Sequence, residues 1–149
     1  MRRFITGVNA AGRSCVLEET DIVPSPVAGI PGFSNASLYT SATGPPARPG
    51  GNGAFVDLHM APGAVRWMVV EHASPGTYGP QNFTAELHYA DALYLICVLR
   101  GSIEMRLEDD VVQLEPGDCV VLPGVDHGYT AGAGGCRMLV AQVGTPPPA

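Results

Sequence analysis

The sequence predicts an all-β domain, a closed barrel or a sandwich of short strands. Three observations predict it. Short runs rich in Val, Ile, Leu and aromatic residues recur along the chain. Gly, Pro, Asn and Asp punctuate them every eight to twelve residues, the spacing of strands joined by tight turns. No stretch sustains the 3.6-residue apolar period of a helix, and no helix cap precedes an amphipathic run.

The elements follow in order. Residues 3–18 read as an opening strand or hairpin, with Phe4, Ile5 and Val8 before a turn at Gly12-Arg13-Ser14 and Cys15-Val16-Leu17 after it. Residues 20–53 carry little periodic pattern and are crowded with breakers. Phe33, Leu38 and Tyr39 suggest one extended piece docked on the body, and residues 43–53 read as a mobile loop. Residues 54–60 are extended, and 65–72 form a strong strand in which Trp67 and Met68 take opposite faces. Residues 78–86 are irregular. A strand over 93–99 is expected to turn at Arg100-Gly101 into a second strand, where Ile103, Met105 and Leu107 alternate with Glu104, Arg106 and Glu108. Asp109-Asp110 makes a hairpin turn to 111–114, and 115–118 turns again into 119–122. Residues 128–135 read as loop or broken strand, 137–143 as a last strand, and 145–149, with its prolines, as a frayed tail.

The whole chain of 149 residues is expected to be one domain: a loop-rich arm over 1–53, a barrel over 54–144 and a flexible tail over 145–149. It is 46% hydrophobic and 15% charged, with a net charge of −6 and no lysine. An acidic chain without a basic stripe is a poor nucleic-acid binder, and the lack of lysine removes Schiff-base chemistry. No apolar run reaches the roughly 18 residues of a membrane span. The opening Met1-Arg2-Arg3 is not followed by the apolar core of a signal peptide, so a cytoplasmic location is the expectation. Cys15, Cys97, Cys119 and Cys136 contain no Cys-x-x-Cys pair and read as small buried hydrophobes in a reducing compartment.

The chemistry-bearing residues cluster in two stretches. Glu86 and His88 stand two apart in an expected strand, which would put both side chains on one face. His127 follows a turn at Pro123-Gly124 that could return it beside them.

These two stretches resemble the paired motifs of the cupins, small jelly-roll barrels. The first cupin motif runs glycine, His-x-His, an acidic residue and a further glycine; Gly79, Glu86, His88, Tyr94 and Gly101 occupy those places. The second runs glycine, a strand, Pro-Gly and a histidine; Gly117, Pro123, Gly124 and His127 occupy those. The resemblance covers about residues 65–143. It departs from the pattern at Glu86, where a histidine is usual, and at Tyr94, where an acid is usual. It implies a double-stranded β-helix, a homodimer and a small, partly apolar organic ligand inside the barrel. Glu86, His88 and His127 would then be a two-histidine, one-carboxylate set able to hold Fe, Mn, Ni or Zn for oxygenase-type chemistry, with Tyr94 a weaker ligand or a hydrogen-bonding neighbour. Without a metal, Glu86 would serve as base, His88 or His127 would shuttle the proton and Tyr94 would steady an enolate oxygen. That chemistry suits an isomerase, dehydratase or cyclase. A third reading is a non-catalytic binding barrel. Asp91 is a spare carboxylate, and His59 and His72, either of which could line the barrel, read rather as surface or packing residues.

Overall fold

The computed structural model describes residues 1–42, 44–77 and 86–147, and among these the chain is all strand and turn, with no helix. β1 (Arg2–Val8) and β2 (Ser14–Asp21) form an antiparallel hairpin. β3 (Ser25–Pro26) and β4 (Ser34–Asn35) pair within the arm, and β5 (Ala54–Val56) runs parallel to β7 (His88–Ala90). The remaining strands are β6 (Val65–His72), β8 (Ala92–Arg106), β9 (Val111–Leu114), β10 (Cys119–Pro123) and β11 (Gly128–Gly144). One seven-stranded mixed sheet has the order β2-β1-β10-β8-β11-β6, with β9 added on β8. Only β1 and β10 run parallel in it.

Two expected breaks are absent. Arg100-Gly101 is not a turn: β8 runs through it. Gly101 takes φ 74, and a Cβ there would lie 2.0 Å from the Gly135 carbonyl oxygen, so the strand bends where only glycine fits. Residues 128–135 belong to β11, and the register slips so that residues 132–135 bulge opposite Ser102 alone. A breaker inside a long strand thus makes a kink rather than an end.

Alternation then sorts the side chains across β6, β11 and β8. The inward rows are Arg66, Gln142 and Tyr94; Met68, Val140 and Ile96; Val70, Met138 and Val98; and finally His72 beside Cys136. Phe4, Ile103, Met105, Leu107, Leu114, Leu122 and Val125 join them in the core, each contributing roughly 2 kcal/mol of apolar burial. Outward lie Trp67, Ala141 and Leu95, then Val69, Leu139 and Cys97, then Glu71, Arg137 and Arg100.

The described part of the arm is tied down at several points, where a mobile loop was expected. Asp126, 1% exposed, accepts hydrogen bonds from the backbone N–H of Asn52 and of Gly53, the latter at 3.0 Å. A Cβ at Gly53 would meet the Leu87 carbonyl oxygen at 2.4 Å, so the arm comes this close only as glycine. Arg48 pairs with Asp91 and stacks over Phe55 at 4.7 Å. The start of the expected tail is also held: Thr145 is 2% exposed and its N–H donates to Asp91 O at 3.1 Å. No helix among the described residues is long and apolar enough to cross a membrane.

Candidate functional site

The site begins with a backbone contact. His88 opens β7 and His127 precedes β11, and the two residues form an antiparallel bridge. His88 N donates to His127 O at 3.0 Å, and His127 N donates to His88 O at 2.9 Å. Directly opposed residues present their side chains together, and the two imidazole rings stand 4.5 Å apart. Each ring is fixed in the same manner. Nδ1 of His88 lies 2.9 Å from Glu86 O, and Nδ1 of His127 lies 2.9 Å from Val125 O. A carbonyl only accepts, so Nδ1 carries the proton in both rings, and in the neutral tautomer each Nε2 is a lone-pair acceptor.

Rings extend the pair inward. Tyr94 lies 5.6 Å from His127, Tyr129 lies 5.3 Å from it, and His72 lies 5.4 Å from Tyr129. Gln142 hydrogen-bonds the Tyr94 hydroxyl, and Gln142 Oε1 accepts from Arg66 Nη1 at 3.4 Å. That contact turns the amide N–H toward the tyrosine oxygen and leaves the phenolic proton as a donor.

Burial sets the charge states. His127 is 2% exposed, and its pKa falls to about 3, first from desolvation and then from His88, against the opposing bond to Val125. It is a neutral imidazole at physiological pH. Burial likewise pushes Tyr94 up to about 12, against Gln142 and Arg66, and raises Tyr129 further, so both stay phenols. Desolvation lowers His72.

His88, Tyr94 and His127 therefore come together, and the Glu86 carboxylate does not join them. β7 starts at His88, so Glu86 lies before the strand, at an exposed bend, and the two-residue alternation does not reach it. Among the described residues no three His, Cys, Asp or Glu side chains converge in a metal-holding group. Residues 78–85, outside the described set, contain no residue of these four types. The donor set expected for Fe, Mn, Ni or Zn from Glu86, His88 and His127 is thus not assembled: two imidazoles and a protonated phenol lack the third strong donor. The motif position Gly79 lies outside the described residues. Asp91 faces Arg48 instead of the histidines. His59 is a surface residue at φ 53, paired with Asp57 at 3.0 Å.

Sequence reasoning missed Tyr129, Gln142 and Arg66, and it set His72 down as a surface or packing residue ahead of a place lining the barrel. The inward place was within reach, because His72 shares its parity in β6 with inward Met68 and Val70. Tyr129 was hidden in a stretch read as loop.

Fold and site together define an all-β protein whose main sheet carries a histidine–tyrosine cluster, buried at His127 and Tyr129 and half-buried at His72, His88 and Tyr94. Compared with known protein families and with curated proteins, the chain matches none.

Proposed function

We propose that this chain is a cupin-like pocket protein that acts on a small, partly apolar carbonyl compound by metal-free proton transfer, as an isomerase, dehydratase or cyclase does. The observation that carries the reading is the pair of backbone-anchored imidazoles beside a phenol that keeps its proton. His88, half-buried, takes a proton from the carbon next to the carbonyl through Nε2. Tyr94 donates a hydrogen bond to the enolate oxygen as charge develops there. Neutral His127 packs against His88 and holds its ring in place. Returning the proton to a different carbon isomerises the substrate; loss of a β-substituent from the enolate eliminates it.

A jelly-roll barrel is part of this reading. The motif positions Gly101, Gly117 and Gly124 all take positive φ, as turns and kinks flanking such strands require, and His88 and His127 meet. We also propose a homodimer. The end strand β6 turns Val65, Trp67 and Val69 outward at 70%, 73% and 57% exposure, an apolar row suited to a second copy of the chain.

The test is carbon-acid exchange in D2O, followed by proton NMR over a panel of enolisable ketones and keto acids. At least one compound should take up deuterium at the α-carbon, with the rate falling about 100-fold in His88→Asn and by a smaller factor in Tyr94→Phe. A compound that binds tightly and never exchanges would make the protein a binder without turnover. A metal content above about one-tenth of an Fe, Mn, Ni or Zn per chain, in protein purified without an affinity tag, would return the function to metal-dependent oxygenation.

A further inference from the structure

The outward row at the end of the sheet carries an unbalanced charge. Arg137 stands directly opposite Glu71 on β6 and directly opposite Arg100 on β8. Glu71 is already engaged, accepting from Arg137 Nε at 2.7 Å. Arg100 makes no hydrogen bond or ion pair among the described residues. Arg2, Arg3, Arg13, Arg48 and Arg137 face carboxylates, and Arg66 donates to Gln142 and to the Leu58 carbonyl, so Arg100 stands apart from all of these. Like charges directly opposed across strands are destabilising, so something should offset the pair.

The row opens on a cavity of about 500 Å³, lined by Glu71, His72, Ser74, Arg100, Gly135 and Arg137 among others. This volume lies in the range of small-molecule sites. Two guanidinium groups and one carboxylate leave a single positive charge on its wall, which matches a monoanion better than a dianion. A planar guanidinium fork also fits a planar carboxylate in a two-bond geometry.

We propose that this cavity binds the carboxylate of a small organic acid, with Arg100 as its principal partner and Arg137 as the second. The site is separate from the His88–His127 pair and does not depend on the reaction proposed there. Its inner wall touches that cluster through His72, whose ring packs on Tyr129.

The experiment uses the full chain with sodium benzoate, sodium pyruvate and inorganic phosphate at matched ionic strength, read by saturation-transfer NMR and by thermal midpoint. The carboxylates should bind and raise the midpoint of the wild type. Affinity should fall at least about tenfold in Arg100→Gln and only partly in Arg100→Lys, which keeps a charge but not the fork. With no ligand, Arg100→Gln should melt at or above the wild-type midpoint, because it relieves the opposed charges. His88→Asn should bind as the wild type does. The proposal is overturned if Arg100→Gln responds like the wild type, if phosphate binds more tightly than the carboxylates, or if no carboxylate binds.

Discussion

His127 should make the fold acid-sensitive well above the range where carboxylates titrate. Its pKa is about 3 in the folded chain, against 6.5 for an unperturbed histidine. Between those values the unfolded chain binds a proton that the folded chain refuses, so stability is complete above the unfolded value and declines as pH falls. At about 1.4 kcal/mol per unit, lowering the pH from 7.5 to 5 removes about 2 kcal/mol through this group alone, and the full effect approaches ~5 kcal/mol near pH 3. With a urea slope of about 2 kcal/mol per molar, the first step shifts the unfolding midpoint by about 1 M. The control is His127→Asn, which keeps a donor for the Val125 carbonyl and cannot titrate. It costs stability at every pH because it leaves space unfilled, but that offset is constant. Urea unfolding at several pH values between 5 and 7.5 should therefore show a steeper fall for the wild type than for the variant. Asp118, Glu108 and His72 titrate in both proteins and cancel in the difference. Parallel profiles would refute the argument, as would an NMR titration placing His127 near its unperturbed value.

Three further perturbations follow from the geometry. Gly101→Ala places a Cβ against the Gly135 carbonyl at positive φ, and should cost about 2 kcal/mol or more in the midpoint of chemical unfolding; an unchanged midpoint would mean β8 does not kink there. Asp118 is drawn upward by burial but held below the usual carboxylate range by Arg2 and by the backbone N–H groups of Glu115 and Arg2. Asp118→Asn should cost about 2 kcal/mol at neutral pH, a deficit that shrinks as acid protonates the wild-type carboxylate through its folded-state value; a deficit independent of pH would contradict it. Burial raises the thiols of Cys15, Cys119 and Cys136, with Cys119 pushed to about 12 by desolvation and by Cys97. An aromatic disulfide reagent should therefore label partly exposed Cys97 first, and the other thiols only on unfolding; rapid labelling of all four would overturn this.

What the sequence made legible depends on how local the determining physics is. Alternation within a strand is local, so β6 is readable from its own residues, as are the inward rank of Met68 and the outward rank of Trp67. Strand ends are less local. Gly101 looks like a turn in isolation, yet the partner strand β11 bulges at residues 132–135 to follow its bend, and β8 continues. The arm shows the same limit: a glycine-rich stretch reads as mobile until Asp126, more than seventy residues away, supplies the acceptor for its N–H groups.

The candidate site divides along the same line. His127 was identifiable because it follows the strong turn signal Pro123-Gly124, and His88 because it falls where the resembled motif carries a histidine. Glu86 was drawn into the site by an alternation rule that presupposes a strand, and the strand begins two residues too late for the rule to apply. The same shift supplies the site's main organising contact. The Glu86 backbone carbonyl, not its carboxylate, meets His88 Nδ1, and the Val125 carbonyl repeats the arrangement at His127. Any residue at position 86 that keeps this backbone path would anchor His88 equally well. The chemistry of the pair is therefore carried by chain geometry at Glu86 and Val125 and by side-chain identity only at the histidines and Tyr94. A Glu86→Gln variant should leave α-carbon exchange intact while His88→Asn lowers it about 100-fold; loss of exchange in Glu86→Gln would restore the carboxylate to the mechanism.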